Sequence, residues 1–188
     1  MPFPTITHIE SRRLELRPVE AADLSDLMEV NGDPEVTRFL PYAAWRSPQD
    51  GEAWLARMEA LAATGTGRQL VVVRRSEPKV LGTMLLFRHD EGSARVELGY
   101  ALGRAHWRQG IMREAIEVAC SHAFGALGIR RIEAEVNPDN AASCRLLAGV
   151  GFVLEGRLRK RWVAKGEAHD TNVYGCLAEE WLARRATG

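Results

Sequence analysis

The chain has 188 residues, 46% hydrophobic and 27% charged, which suits one soluble globular domain with a sizeable core. Its 25 basic and 25 acidic residues cancel, so no global charge draws it to nucleic acid, and no apolar run nears the ~20 residues of a membrane span. The opening MPFPTITHIESRRLELRP lacks the basic start and apolar centre of a secretory signal. Three scattered cysteines, Cys120, Cys144 and Cys176, read as reduced thiols, and a cytoplasmic protein is expected.

RRLELRPV (12–19) alternates and predicts a strand. In EAADLSDLMEVNGDP, Leu24, Leu27 and Met28 recur at helical spacing, and Gly32 and Pro34 are expected to stop the helix. SPQDGEAWLARMEALAATG predicts a second helix, with Ser47 as cap, Pro48 at the first helical position and Gly65 at the end. Three strands follow, RQLVVVR (68–74), VLGTMLLF (80–87) and ARVELGYAL (94–102), with turns at SEPK and RHDEGS. Beyond a turn at Gly110, IMREAIEVACSHAFGALG places Met112, Ile116, Ala119 and Ala123 on one helical face, with Gly128 expected as C-cap. IRRIEAEV (129–136) predicts a strand and NPDNAASCRLLAGVG a short helix capped by Asn140. FVLEGRLRKRWV and EAHDTNVYGCLA predict a terminal strand pair turning at AKG. No repeat or linker interrupts this order, which suggests a single α/β (or α+β) domain over 1–188 with a mixed sheet.

Two stretches carry candidate chemistry. HWRQGIMREA, His106–Ala115, is a polar turn pivoting on Gly110 between a strand and a helix. The first turn of a helix offers backbone N–H groups with no internal partner, which suits an anion. The stretch is neither a dinucleotide fingerprint nor a Walker A loop, and an ordinary strand–helix turn is the alternative. In NPDNAASCRLLAGVGF, Asn137, Asn140 and Ser143 recur at spacing three where a strand meets a helix. Pro138 biases Asn137 toward the extended strand end, while capping by itself needs only one of the three. No His/Cys spacing matches a zinc site, so no metal is expected. No motif links a His to Cys144, which reads as a packed thiol. The basic run GRLRKRW (156–162) reads as a solvated strand face, and Trp45 and Trp54 read as core.

In ARVELGYAL, Val96, Leu98, Tyr100 and Leu102 share one face of the strand, and Glu97, Gly99 and Ala101 share the other. Glu97 is a carboxylate in an apolar strand. Either it faces solvent, or it is partly desolvated, in which case burial raises its pKa and makes it a better proton acceptor.

Taken together, ELGYALGRAHWRQGIMREA and NPDNAASCRLLAGVGF resemble the acetyl-CoA-binding core of the GNAT superfamily of N-acetyltransferases. The nearer resemblance is to its ribosomal-protein Ser/Ala N-terminal acetyltransferases, the RimJ/RimL-like branch. RRLELRPVEAADLSDLMEV and HDTNVYGCLAEEW extend the likeness to both ends, and residues 35–68 are its least specific part. The superfamily's loop pattern R/Q-x-x-G-x-G/A aligns with Trp107-Arg108-Gln109-Gly110-Ile111-Met112, departing from it at Trp107 and Met112.

The resemblance implies a twisted mixed sheet flanked by helices, with a V-shaped splay between the fourth and fifth strands. It implies acetyl-CoA as cosubstrate, its pyrophosphate held by backbone N–H groups of Arg108, Gln109, Gly110, Ile111, Met112 and Arg113. Backbone groups of Tyr100, Ala101 and Leu102 would pair with its pantetheine arm, and Asn137 and Asn140 would position that arm and Ser143. Ser143 would donate a hydrogen bond to the leaving thiolate, since 138–150 contain none of the Tyr that many members use as acid. Glu97 would receive a proton from the acceptor, directly or through water. The expected partner is a primary amine, foremost a protein N-terminal α-amine, with no membrane, no nucleic acid and no metal; homodimers are common in the superfamily. The alternatives are a small acceptor such as a polyamine, amino acid or antibiotic, and a non-catalytic acyl-CoA-binding sensor.

Overall fold

The computed structural model describes residues 3–4 and 6–186, so positions 1, 2, 5, 187 and 188 of the expected domain lie outside the described residues. A short strand β1 (Ile9–Glu10) turns back on β2 (Leu14–Pro18). A 3-10 turn over Ala21–Asp23 leads into α1 (Leu24–Asn31), then α2 (Pro34–Thr37) and α3 (Pro48–Ala63). Strands β3 (Gly67–Arg74), β4 (Glu77–Asp90) and β5 (Arg95–Leu102) form an antiparallel meander. Helix α4 (Ile111–Gly125), strand β6 (Arg131–Val136) and helix α5 (Ala141–Val150) follow. The chain closes with the hairpin β7 (Val153–Ala164) and β8 (Glu167–Leu177), then α6 (Ala178–Ala186). Among the described residues no helix is long and apolar enough to cross a membrane.

The sheet order is β1-β2-β3-β4-β5-β6-β8-β7. Each neighbouring pair is antiparallel except β5–β6, where α4 supplies the crossover that a parallel pair requires. Alternation sorts side chains to two cores. On β3, Leu70 and Val72 join Leu86, Leu98, Ile116 and Leu147 under α4 and α5. Val71 and Val73 face the other way, packing with Leu27, Trp45, Trp54 and Leu55 under α1 and α3. The unbroken VVV of β3 is thus apolar because both of its faces are covered.

The β5–β6 pairing runs Arg95↔Arg131, Val96↔Ile132, Glu97↔Glu133 and stops. Beyond Glu97 the two strands diverge, leaving Leu98–Leu102 unpaired on the β6 side. Because β1 precedes the strands expected from sequence, the splay lies between the fifth and sixth strands here.

Several expectations shift in detail. Pro34 does not end the first helix; Gly32 follows its last residue, and Pro34 opens α2, with Asp33 Oδ1 accepting from Glu35 N at 2.9 Å. Proline has no N–H to lose in a first turn, so it starts helices as readily as it ends them. The C-cap of α4 is Ala126, and Gly128 (φ 67°) turns the chain only afterwards. Strand β4 absorbs most of the first expected turn, 77–79, and half of the second, 88–90, and α6 carries no sequence signal, since AEEWLARRA buries Trp181 alone.

Candidate active site

The loop before α4 begins the site. Gly110 is left-handed at φ 71°, and so is Arg108 at φ 60°, a conformation uncommon away from glycine. No side chain caps α4, and its first helical bond is Glu114 N to Gly110 O at 3.1 Å. The N–H groups of Ile111, Met112 and Arg113 are therefore left for an outside acceptor, at the positive end of the helix dipole. Both departures from the superfamily pattern find a structural use. Met112 is buried in the core, so its bulk points away from the loop. Trp107 Nε1 donates to Leu102 O at 2.7 Å, satisfying a carbonyl at the splayed end of β5. Arg113 is turned aside, its Nη1 donating to Gly149 O at 2.8 Å. Gln109 Nε2 donates to Ala105 O at 2.8 Å.

Main-chain direction alternates along β5. Gly103 N donates to Leu81 O, and a Cβ on Gly82 would lie 2.3 Å from Ala101 O, so Ala101 and Gly103 turn toward β4. Tyr100 and Leu102 then turn their polar groups into the gap. Ala101 stands apart from its two neighbours in this respect, and the Leu102 carbonyl is already held by Trp107.

On the helical side of the gap, Tyr100 Oη and Ser143 Oγ lie 2.6 Å apart. Burial pushes the Tyr100 phenol well above its ordinary value, against a smaller opposing effect of the Ser143 hydrogen bond. Asn140 caps α5, its Oδ1 accepting from Ser143 N at 3.2 Å, and Asn137 Oδ1 accepts from Asp139 N at 2.9 Å. Both carbonyl ends serve local turns, which leaves the two amide NH2 groups without partners among the described residues.

On the opposite face of β5, Glu97 is buried, at 7% exposure, and not solvent-facing. Its Oε2 accepts from Arg88 Nη1 at 2.7 Å, and its Oε1 has no partner among the described residues. Burial raises the Glu97 carboxyl, and the Arg88 charge and hydrogen bond pull it partly back. Arg88 adopts φ 52° where the β4–β5 pairing bulges, and its guanidinium lies 5.3 Å from the Trp162 ring. It also lies 3.6 Å from Glu135 Oε1, while Trp162 Nε1 donates to Glu135 Oε2 at 2.5 Å.

A cavity of about 460 Å³ joins the helical side of the gap to Glu97. It runs from Asn137, Asn140 and Ser143 past Tyr100 and Glu97 to a wall containing Phe39, Tyr42, Trp54, Met58, Phe87 and Trp162. The loop 108–113 does not line it. Lys165, at the tip of the β7–β8 hairpin, donates Nζ to Thr37 O at 2.7 Å and ties that hairpin to α2. Trp45 and Trp54 pack at 5.5 Å as buried core, and Trp54 also reaches the cavity.

Sequence reasoning missed the Tyr100 hydroxyl, Arg88, Glu135, Trp162 and Lys165. No spacing signals them, because each meets its partner through strand pairing or hairpin placement. Among the described residues no three His, Cys, Asp or Glu side chains gather as a metal would require.

The family profile described as "Acetyltransferase (GNAT) domain" matches residues 13–153. The uncharacterized N-acetyltransferase YoaA of Bacillus subtilis is 34% identical over 169 residues, 90% of this chain and 96% of that protein. The ribosomal-protein-serine acetyltransferase of Escherichia coli is 28% identical over 103 residues, 55% of this chain and 58% of that one. The crystal structure of a putative acetyltransferase from T. thermophilus superposes with a TM-score of 0.84 at 31% identity, covering 98% of this chain and 96% of that one. With an uncapped helix start, a splayed strand pair and a buried carboxylate on the strand beside the splay, this chain belongs to the GNAT family of N-acetyltransferases.

Proposed function

We propose that the chain transfers an acetyl group from acetyl-CoA to the α-amine at a protein N-terminus. The observation that carries this choice of acceptor is the state of the acids in the cleft. Glu97 and Glu135 share Arg88, and Asp170 is the lining acid without an ion pair among the described residues. A polyamine carries several cations and would need as many unpaired carboxylates. One amine on a peptide needs one base and an apolar wall, which this cleft has.

Bound acetyl-CoA supplies the acetyl group as an activated thioester. The N–H groups of Ile111, Met112 and Arg113 suit its pyrophosphate, and the gap-facing main chain of Tyr100, with the amides of Asn137 and Asn140, suits its pantetheine arm. Glu97 Oε1 is the free oxygen that takes the amine's proton, directly or through water. A protein α-amine has a pKa of about 7.7–8.0, so on the order of a tenth is already neutral at pH 7, and a modest base suffices. A lysine amine near 10.4 would ask far more of Glu97. Ser143 Oγ–H donates to the sulfur as it leaves. The name of the Escherichia coli relative, a ribosomal-protein-serine acetyltransferase, supports a protein acceptor.

The test is acetyl-CoA consumption with products identified by mass. The acceptors are peptides with free Ala, Ser or Met N-termini, their N-blocked lysine-containing versions, polyamines and free amino acids. Acetylation of the free N-termini alone is expected. Turnover confined to polyamines or free amino acids would refute the reading, and CoA binding without acetylation of any peptide would favour a sensor.

A further inference from the structure

We infer that Tyr100 is a positioning residue for acetyl transfer, its phenolic O–H donating to Ser143 Oγ and thereby aiming the serine's own proton at the departing sulfur. This rests on the reading that the cavity binds acetyl-CoA.

The geometry leaves few other arrangements. Ser143 Oγ has one partner among the described residues, Tyr100 Oη at 2.6 Å, and Ser143 N is occupied by the Asn140 cap. A hydroxyl in the first turn of a helix ordinarily swings among rotamers and backbone acceptors. Here it is pinned from β5, and Ser143 and Tyr100 both line the cavity. A phenol is the stronger acid of the two and hence the better donor, so the bond runs from Tyr100 to Ser143. That leaves the serine O–H as the outward donor, polarised by the bond it accepts.

The pair donates hydrogen bonds without giving up a proton. A thiol with a pKa of about 8.5 is a stronger acid than a phenol at about 10, and burial weakens the Tyr100 phenol further. Net transfer from the pair to a thiolate is therefore uphill. Acetyl transfer forms one N–C bond and breaks one C–S bond, with the electron pair leaving on sulfur. The amine's proton passes to Glu97 and solvent, and solvent returns a proton to sulfur. The hydroxyl pair spreads the charge on sulfur between those events, as preorganised donors do elsewhere. This accounts for a serine in the acid position with no Tyr on α5: the Tyr comes from β5 and acts at one remove.

The test reads the thiol of bound CoA and needs no acceptor. CoA is bound to the full chain, and the thiolate is followed by ultraviolet absorbance against pH, with S-methyl-CoA complexes subtracting the protein's own thiols. In the wild type the bound thiol should ionise at lower pH than in free CoA. In Tyr100→Phe it should ionise about one pH unit higher than in the wild type, a tenfold change in the thiolate ratio. CoA affinity should change by no more than about twofold, because the phenyl ring keeps its packing. Ser143→Ala should raise the value at least as much, and the double variant should match Ser143→Ala alone. A 3-fluorotyrosine at position 100, a stronger donor, should move the ionisation the opposite way and keeps the test alive if Tyr100→Phe folds poorly. Identical ionisation in wild type and Tyr100→Phe, or additive effects of the two substitutions, would overturn the inference while leaving the reading of the cavity intact. Failure of the wild type to bind CoA, read by calorimetry, would remove both.

Discussion

The close approach of β4 to β5 can be probed by one methyl group. A Cβ at Gly82 would lie 2.3 Å from Ala101 O and 3.0 Å from Leu102 Cα. Real Cβ atoms essentially never come within 3.0 Å of a heavy atom beyond their own residue and its chain neighbours, so β5 must retreat by at least the 0.7 Å between 3.0 and 2.3 Å. Both obstructing atoms are backbone, and no rotamer change relieves them. Overpacking of this kind costs about 1–3 kcal/mol, which for a chain of this size lowers Tm by roughly 2–12 °C. The functional effect should be larger. The displaced segment carries the gap-facing groups of Tyr100 and Leu102, and a shift of ~1 Å at such a site can cost on the order of 100-fold in rate. Gly82→Ala is therefore expected to weaken CoA binding at least tenfold by calorimetry and to lower the melting temperature in the same samples. Gly125→Ala is the control, since nothing lies within 4 Å of a Cβ there, and it should melt at or above the wild-type temperature. Wild-type melting and CoA affinity in Gly82→Ala would refute the account that the close approach of β4 holds the gap-facing groups of β5 in place.

Glu114 anchors the first turn of α4 to the β1–β2 turn, accepting from Ser11 Oγ at 2.8 Å, Arg13 N at 2.9 Å and Arg13 Nε at 2.6 Å. Burial by itself would raise its carboxyl, but the hydrogen bonds from Ser11 and Arg13 outweigh that and hold it below the ordinary value. Its stabilisation is present above the ordinary glutamate value of about 4.3 and is lost as pH falls through the depressed one. Glu114→Gln should cost about 1–2 kcal/mol at pH 7, and its denaturation midpoint should converge with that of the wild type in acid; a gap independent of pH would contradict the assignment. Glu97→Gln should lower kcat by about 100-fold with CoA affinity unchanged. The wild-type rate should rise with pH as the raised Glu97 carboxyl loses its proton, and the variant should lose that limb, keeping only the rise due to the acceptor amine. An unchanged profile would remove Glu97 as the base.

Features that depend on near neighbours in the chain were legible in the amino-acid order. The Ser47–Asp50 capping box starts α3, Asn140 caps α5, and Gly110 takes the left-handed turn before α4, each within a few residues of its signal. Glu97 in an apolar strand and Ser143 at a helix start stood out for the same reason. Local signals also misled where one residue type serves two ends: Pro34 opens a helix, and Gly128 lies beyond the cap it was expected to form. Which of these residues meet is a matter of tertiary packing. Tyr100 and Ser143 are 43 residues apart, Arg13 and Glu114 are 101 apart, and Lys165 reaches across 128 residues to Thr37. Arg88 sits in a segment that reads as a turn and becomes the partner of Glu97 only because β4 runs on and bulges against β5. The parallel β5–β6 pairing fixes the site, and its early end opens the gap. Strand pairing over such separations is set by burial of whole sheet faces and leaves no mark in any short window of sequence.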